Sequence, residues 1–207
     1  MADHDEKTPA GLAARQISIA YDRAPVIDSL DLAVPVGRFT ALIGPNGSGK
    51  STVLRALAGL MGVQAGSVLL DGKAIATLPT KDMAKRVGVL LQGPVAPEGL
   101  NVQDLVQLGR YPHRGLLARW SAEDEDACEE ALQLTAMERL RHRRLDTLSG
   151  GQRQRAWIAM TLAQRSEILL LDEPTTFLDI NHQVEVLDLL TDLNQTRGTT
   201  VVMVLHD

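Results

Sequence analysis

The 207-residue sequence contains a single cysteine, at position 128. A lone cysteine cannot form an intramolecular disulfide bond, and the amino-terminal MADHDEKTPAGLAAR lacks the basic-then-apolar order of a secretory signal. Both absences favour a reducing cytoplasm. Long apolar runs are absent too, because TVVMVL near the carboxyl end is far shorter than the roughly 20 residues that span a bilayer. We therefore expect any association with a membrane to go through a partner.

Positive charge is also scarce. The formal net charge of -5 at pH 7 gives no broad electrostatic attraction to nucleic acid or anionic lipid. The basic cluster RLRHRR, residues 139–144, is a local exception, but cations at the carboxyl end of a helix favour its dipole and are typical of a solvated face. We expect no nucleic-acid partner. Because 44% of the residues are hydrophobic and 23% charged, the composition is that of a soluble globular core.

The first ninety residues have strand patterns around one helix. After a polar tail, ISIAYDRAPVIDSLDLAV predicts two antiparallel strands about a turn at residues 22–25. A short apolar run at 38–43 ends in a glycine-rich loop, and the segment after the loop has helical spacing. The apolar positions of that helix are Val53, Leu54, Leu57 and Leu60. SVLLDG and RVGVLLQ predict two more strands, separated by a hairpin arm and a short helix at 73–85.

Helical patterns take over in residues 93–147. Ser121 is a predicted helix cap, followed by carboxylates in AEDED and an apolar stripe at Cys128, Ala131 and Leu132. Strand and helix then alternate again through ILLLDE, an amphipathic helix and TTVVMVLHD. That helix presents Val184, Leu187, Leu190 and Leu193 on one face. The sequence therefore predicts one α/β domain in which a helical insert splits a parallel core, with no internal repeat and no second copy of the domain.

The segment GPNGSGKST contains the motif G-x-x-x-x-G-K-[ST]. In this motif the backbone N–H groups of a glycine-rich turn hold phosphates, the lysine reaches the β- and γ-phosphates, and the serine hydroxyl binds Mg²⁺. The alternative is an ordinary glycine turn. The predicted phosphate-binding residues are Gly44, Pro45, Asn46, Gly47, Ser48, Gly49, Lys50, Ser51 and Thr52.

Other polar residues follow apolar strand patterns. Asp172 and Glu173 end ILLLDE at the sheet edge where α/β proteins bind ligands, so Asp172 is a candidate Mg²⁺ ligand and Glu173 a candidate to orient the attacking water. His206 and Gln92 end two further apolar runs in the same way. Tyr21 could stack on an adenine ring, although a strand aromatic is more often part of a core. Taken alone, the last three residues are weak candidates.

A second glycine-rich helix start stands about a hundred residues after the first. LSGGQ places Ser149, Gly150, Gly151 and Gln152 where bare backbone N–H groups could hold an anion. Together with GPNGSGKST, ILLLDE, FLD and LHD in this order, it resembles the ATP-binding subunit of ABC transporters over nearly the whole chain. The combination of motifs is highly specific.

The resemblance implies roles that the residues alone do not establish. In the family, Tyr21 corresponds to the adenine-stacking aromatic, Gln92 to the glutamine beside the metal and water, Asp179 to the D-loop residue and His206 to the switch histidine. The family works as a head-to-tail dimer, in which ATP lies between the phosphate loop of one subunit and residues 149–151 of the other. This arrangement explains the two phosphate-binding helix starts. ATP and Mg²⁺ are the expected ligands.

A finer resemblance concerns GRYPH, GGQRQRAWIAM, LAQ and DEPTTFLDINHQ. These segments look like those of iron–siderophore importer ATPases, with haem and cobalamin importers as alternatives. The resemblance implies a homodimer beneath two membrane permease subunits, at the cytoplasmic face of the cell membrane, served by a periplasmic or lipid-anchored chelate-binding protein. It divides the single domain into 1–92, 93–152 and 153–207.

Two other function classes remain open at this stage. A soluble ABC ATPase of iron–sulfur assembly or another non-transport process would carry the same motifs, whereas a nucleotide-binding module without turnover would not need Glu173. Family members also continue past the histidine and aspartate of LHD, so we expect either a truncated record or a lost tail.

Overall fold

The computed structural model describes residues 11–21, 24–115, 118–176 and 178–205. In this part of the chain, two four-stranded sheets are accompanied by six α-helices. The strands are β1 (Leu12–Tyr21), β2 (Ala24–Ala33), β3 (Phe39–Leu42), β4 (Ala65–Leu70), β5 (Lys73–Ala74), β6 (Val87–Leu90), β7 (Ile168–Asp172) and β8 (Thr200–Val204). The helices are α1 (Lys50–Leu57), α2 (Thr80–Arg86), α3 (Val102–Leu108), α4 (Ala122–Leu134), α5 (Gly150–Ala163) and α6 (Ile180–Arg197). None of the helices within these ranges is long and apolar enough to cross a membrane.

The first sheet is antiparallel, with strand order β2-β1-β4-β5. The predicted antiparallel start is confirmed, since β1 pairs with β2 in antiparallel register; the predicted turn residues Asp22 and Arg23 lie outside the described residues. The prediction of a polar tail before Ile17 was wrong, because β1 already begins at Leu12. Leu12 and Ala14 are buried on the same face of the strand, as the two-residue repeat of a strand requires. Both residues pair with β4.

The second sheet is parallel, with strand order β3-β8-β7-β6. Every residue of β7 and β8 is buried, as expected for central strands covered on both faces. Successive side chains of β7 enter different cores. Ile168 and Leu170 pack toward α1 and the antiparallel sheet, whereas Leu169 and Leu171 pack toward the helical insert. The sheet therefore separates two hydrophobic cores, and its carboxyl edge is the place where both meet the surface.

The insert between β6 and β7 is helical, as predicted. Ser121 accepts a hydrogen bond from the backbone N–H of Asp124 and caps α4, and Cys128, Ala131 and Leu132 are buried as the predicted stripe. Burial raises the pKa of the Cys128 thiol to about 11. A buried neutral thiol is a core residue rather than a reactive one.

Two of the predicted apolar stripes were wrong in part. Leu60 lies beyond the end of α1 and is exposed. In α6, Val184 is 52% exposed, whereas Val186 is buried with Leu190 and Leu193. The cause is helical geometry, because nine residues at about 100° each place Val184 roughly opposite Leu193. Spacing of four and three residues from Val186 gives the true buried face.

Arg110 is a charged residue inside the helical insert and is only 1% exposed. Its Nε donates to Asp124 Oδ1 at 2.9 Å, and a second nitrogen contacts the more exposed Glu123. Burial of the Asp124 carboxyl raises its pKa, but the hydrogen bonds from Arg110 and Ser121 outweigh burial and hold the pKa below its ordinary value. The ionised carboxylate is therefore part of the folded state.

Replacement of Asp124 by Asn should lower the free energy of unfolding by about 3 kcal/mol at pH 7, because it leaves the buried Arg110 charge with only the longer contact to the exposed Glu123. Since the pKa of Asp124 is depressed in the fold, the stabilisation is fully present above the unfolded-state pKa of about 3.9 and is lost as pH falls through the folded-state value. Urea titrations at several pH values measure it. The exposed Asp126→Asn on the same helix is the control, and a difference between Asp124→Asn and wild type that persists unchanged at low pH would contradict the assignment.

Candidate nucleotide-binding site

The glycine-rich loop connects β3 to the first turn of α1. Gly49 caps the helix in the left-handed conformation with φ 87°, and a Cβ at this position would lie 2.6 Å from Ile27 Cδ1. Only glycine fits there without a shift of the loop. The side chain of Lys50 folds back, and its Nζ donates to Gly44 O at 2.6 Å and Pro45 O at 2.9 Å. The ammonium group therefore lies over the loop, beside the free N–H groups of a helix start.

A hydrogen bond joins this helix to the central strand. Ser51 Oγ donates to Asp172 Oδ1 at 2.8 Å, and Asp172, at the carboxyl end of β7, is fully buried at 0% exposure. A hydroxyl and a carboxylate oxygen are the ligand types that Mg²⁺ prefers in proteins. The two residues predicted from separate motifs as metal ligands are thus brought into direct contact.

Glu173 has an unusual backbone. Its φ is 53°, a conformation that is strained for a residue with a side chain and is often found at functional sites. Its N–H donates to Val204 O at 3.2 Å, and its Oε2 accepts hydrogen bonds from Gln92 Nε2 at 2.7 Å and Thr176 Oγ1 at 3.1 Å. The carboxylate is therefore fixed at the edge of the sheet, next to Asp172.

These groups line one open pocket of about 520 Å³. The lining consists of Tyr21, Val26, residues 46–52, Gln92 and Glu173. Tyr21 is 44% exposed, and its hydroxyl donates to Met61 Sδ at 3.6 Å, so it is not the core aromatic that the alternative interpretation required. The structure brings together the phosphate loop and three side chains predicted from distant parts of the sequence.

The second glycine-rich helix start lies elsewhere. Ser149 Oγ accepts from the backbone N–H of Gln152, and Gln152 Oε1 accepts from the backbone N–H of Ser149, so the pair forms a capping box at the start of α5. Ser149 and Gly150 are exposed, and Gly151 lies beside Leu178. Although all of residues 149–152 are described, none lines the pocket at the phosphate loop. Within one chain, the two helix starts predicted to bind anions therefore do not share this pocket.

Asp179 and His206 differ from the other predicted residues. Asp179 caps α6 by accepting from the backbone N–H of His182 at 3.0 Å, and this bond holds the pKa of its carboxyl below the ordinary value. Asp179 is largely exposed and is outside the pocket lining. His206 lies outside the described residues, and the strand before it, β8, ends beside β7.

The sequence prediction did not include two residues near the site. Thr176 holds Glu173, and its position three residues after the carboxylate in a turn could have signalled this contact. Gln154, buried in α5, donates from Nε2 to Pro174 O at 2.9 Å, which ties the LSGGQ helix to the segment after Glu173. A single glutamine within a helix carries no sequence signal for that contact.

The basic cluster 139–144 has local partners. Arg141 pairs with Glu129, Arg144 pairs with Asp146, and Arg143 donates to Thr147 O. The cluster begins in a 3₁₀ turn, Glu138–Leu140, and not at the end of an α-helix as the helix-dipole argument assumed. Three of its arginines therefore stabilise the connection that leads to α5.

The family model described as "ABC transporter" matches residues 27–176. The chain is 57% identical over 198 residues to the "Probable siderophore transport system ATP-binding protein YusV" of Bacillus subtilis (strain 168), covering 96% of this chain and 72% of the relative. It is 50% identical over 198 residues to the "Ferric enterobactin transport ATP-binding protein FepC" of Escherichia coli (strain K12), covering 96% and 73%.

A solved structure agrees in fold. The dimeric ATP-binding cassette MJ0796, in a post-hydrolysis state bound to ADP and Pi, superposes with a TM-score of 0.85 at 30% sequence identity, over 95% of this chain and 88% of that chain. The superposition confirms the predicted fold class, a phosphate-loop core with an antiparallel β-subdomain and a helical insert.

Proposed function

Because the chain belongs to the ABC transporter family, we propose that it is the ATP-hydrolysing, energy-coupling subunit of an importer for iron–siderophore complexes. The observation that carries this proposal is the pocket that brings residues 46–52 of the phosphate loop together with Gln92 and Glu173, with Asp172 bonded to Ser51 beneath it. The substrate class rests on relatives that are named for siderophore and ferric enterobactin transport.

Binding of ATP follows from the loop. The N–H groups at the start of α1 and the ammonium of Lys50 offer positive charge to the β- and γ-phosphates. Lys50 Nζ is at present bound to two carbonyl oxygens of its own loop, so phosphate oxygens would replace neutral acceptors with charged ones. The half-exposed ring of Tyr21 at the rim of the pocket is placed to stack on the adenine.

Ser51 and Asp172 are the proposed protein ligands of Mg²⁺, and Gln92 is proposed as a further residue of the metal site. Bound Mg²⁺ would neutralise the charge that develops on the transferred phosphoryl group. The protein side chains fit this group, because the Ser51 hydroxyl and the Asp172 carboxylate already meet at 2.8 Å. Asp172 is buried, which favours a cation as its partner.

Glu173 is proposed to orient the attacking water and accept its proton. Gln92 and Thr176 hold the same carboxylate oxygen, which fixes the direction of the other. His206, at the carboxyl end of the β8 segment, is proposed to contact the γ-phosphate. Since Gln92 binds Glu173 directly, a displacement of Gln92 by a partner would change the position of the catalytic carboxylate.

The active form is proposed to be a head-to-tail homodimer. Residues 149–151 are outside the pocket of their own chain, and an exposed helix start with bare glycines suits a phosphate supplied by another subunit. A cassette of similar fold forms a dimer, which supports the arrangement. Asp179, exposed at the start of α6, would lie at the same interface.

The membrane partners are proposed to be two permease subunits, with the chain at the cytoplasmic face of the membrane and a chelate-binding protein on the other side. Three apolar side chains are exposed between Gln92 and α4, and such exposed apolar surface is typical of a site where another protein docks. They are Val95, Leu108 and Tyr111. Haem and cobalamin remain the alternative cargoes, and a soluble iron–sulfur assembly ATPase remains the alternative class; the names of the relatives favour siderophores.

The Glu173→Gln variant should separate binding from chemistry. It keeps the size of the side chain and its hydrogen bonds but loses the carboxylate that accepts the proton. We expect ATP hydrolysis to fall by at least about 100-fold, while ATP binding is retained and closed dimers accumulate in size-exclusion chromatography with Mg-ATP.

Lys50→Ala is the matched control, because it removes the cation from the loop and should abolish ATP binding itself. Normal turnover of the Glu173→Gln variant, or wild-type binding of ATP by the Lys50→Ala variant, would refute the assignment of the site.

The transport proposal is tested by uptake. A source strain that lacks this coding sequence should fail to import radioactive iron from siderophores, and the full-length protein should restore import. The Glu173→Gln form is expected to restore nothing, because coupling requires hydrolysis. Uptake of haem and cobalamin is measured in parallel. If the strain loses uptake of haem or cobalamin but still imports siderophores, that compound is the cargo and the siderophore proposal is wrong.

A further inference from the structure

The proposed chemistry does not use GRYPH, residues 109–113, or the glutamine of LAQ, Gln164. In the structure both segments meet at the carboxyl end of α5, the LSGGQ helix. The last carbonyl groups of a helix have no partner within the helix. Here Ala163 O accepts from Arg110 Nη1 at 3.0 Å, and Gln164 O accepts from His113 Nε2 at 2.8 Å. Leu162 O accepts from the N–H of Arg165 at 2.9 Å.

Gly109 makes this contact possible. A Cβ at position 109 would lie 2.1 Å from Met160 O, so any other residue would push the GRYPH segment away from α5. Arg110 is buried beside this helix end. Its positive charge compensates the negative end of the helix dipole. The GRYPH segment is therefore a carboxyl-terminal cap that is supplied to α5 from a distant part of the chain.

The side chain of Gln164 continues the connection. Its Nε2 donates to Ala84 O in α2 and, at 3.1 Å, to Val87 O at the first residue of β6. Strand β6 ends at Leu90, two residues before Gln92, which holds Glu173. In parallel, Lys81 Nζ in α2 donates to Arg114 O at 2.6 Å, just after GRYPH. The carboxyl end of the LSGGQ helix is thus bonded to β6, the strand that leads to Gln92.

We propose that Gly109, Arg110, His113 and Gln164 form a joint that positions the LSGGQ helix relative to the Gln92 strand, so that residues 149–151 meet the nucleotide of the other subunit. This inference rests on the proposed function. Helix α5 has 14 residues, about 21 Å at the usual rise, and Gln154 holds it near its other end. We expect release of the joint to let α5 tilt slightly about Gln154, while Ala156, Ile158 and Ala159 keep it in the core.

Such a pivot would affect the contact between subunits more than the pocket within one subunit. The phosphate loop lies between β3 and α1, Ser51 on α1 and Asp172 on β7. The hydrogen bonds given above for the joint go instead to α2, α4, β6 and the end of α5. A displacement of roughly 1 Å at a phosphate-binding group can reduce its effect about 100-fold. The four residues are therefore positioning residues, which act through α5 and not on the nucleotide.

The test compares Gln164→Met with Thr161→Val, both in the Glu173→Gln background. Gln164→Met keeps the length of the side chain and removes the donor to Ala84 O and Val87 O. Thr161→Val removes a hydrogen bond within the same helix end, from Thr161 Oγ1 to Trp157 O, and leaves the joint intact. The affinity for a fluorescent ATP analogue is measured at low protein concentration, and the ATP-dependent dimer dissociation constant is measured by analytical ultracentrifugation.

We expect Gln164→Met to weaken the dimer about tenfold, the equivalent of one lost buried hydrogen bond, with nucleotide affinity within about twofold of the parent. The Thr161→Val form should match the parent in both. Unchanged dimerisation of Gln164→Met would overturn the joint, and so would a parallel loss of nucleotide affinity, because that is general destabilisation. A Glu173→Gln parent that neither binds ATP nor dimerises would instead refute the proposed function.

His113 provides a second pair of variants at another contact of the joint, in case Gln164→Met fails to fold. His113→Leu removes the donor to Gln164 O, whereas His113→Gln keeps one. The expected result is a weaker ATP-dependent dimer for His113→Leu and recovery for His113→Gln, at equal melting temperature. Equal dimerisation of the two variants would overturn the role of this contact.

Discussion

The hydrogen bond from Ser51 to Asp172 is the contact on which the site depends. It ties the first turn of α1 to the carboxyl end of β7, on the side of the sheet where Ile168 and Leu170 pack with α1. The Ser51 hydroxyl donates to the buried Asp172 carboxylate, and the proposed Mg²⁺ would compensate its charge. Once that edge is fixed, the strained backbone of Glu173 follows directly after it, and Gln92 reaches the carboxylate from the neighbouring strand β6.

Much of this arrangement could be predicted from sequence, because the governing rules are local. A glycine-rich loop between an apolar strand and a helix predicts the phosphate site, and parallel strands bring their final residues to one edge, so Asp172, Glu173 and Gln92 were expected to be near the loop. Helix capping by Ser121 followed from a four-residue pattern. Such predictions need no knowledge of which strands are neighbours.

The features that could not be predicted depend on contacts between distant segments. The start of β1 at Leu12 depends on its pairing with β4, and the burial of Val186 in place of Val184 depends on where α6 meets the sheet. The bond between Gln92 and Glu173 and the joint at Gln164 connect residues about eighty positions apart. A periodic pattern of apolar residues indicates one face of a helix or strand. Only the folded structure shows which other segment that face packs against.

The central claim is that each nucleotide site is built from two chains. It is tested most directly by disulfide formation between Ser48→Cys on one chain and Ser149→Cys on the other, both with Cys128→Ser and Glu173→Gln. Ser48 and Ser149 are both exposed, so cysteines at these positions are accessible to each other and to the oxidant. Our account predicts a covalent dimer on a denaturing gel after oxidation, formed with Mg-ATP and not without it. A chain that carries both cysteines is tested in parallel. If the ATP-dependent bond forms only within such single chains and never between two chains, the account is contradicted.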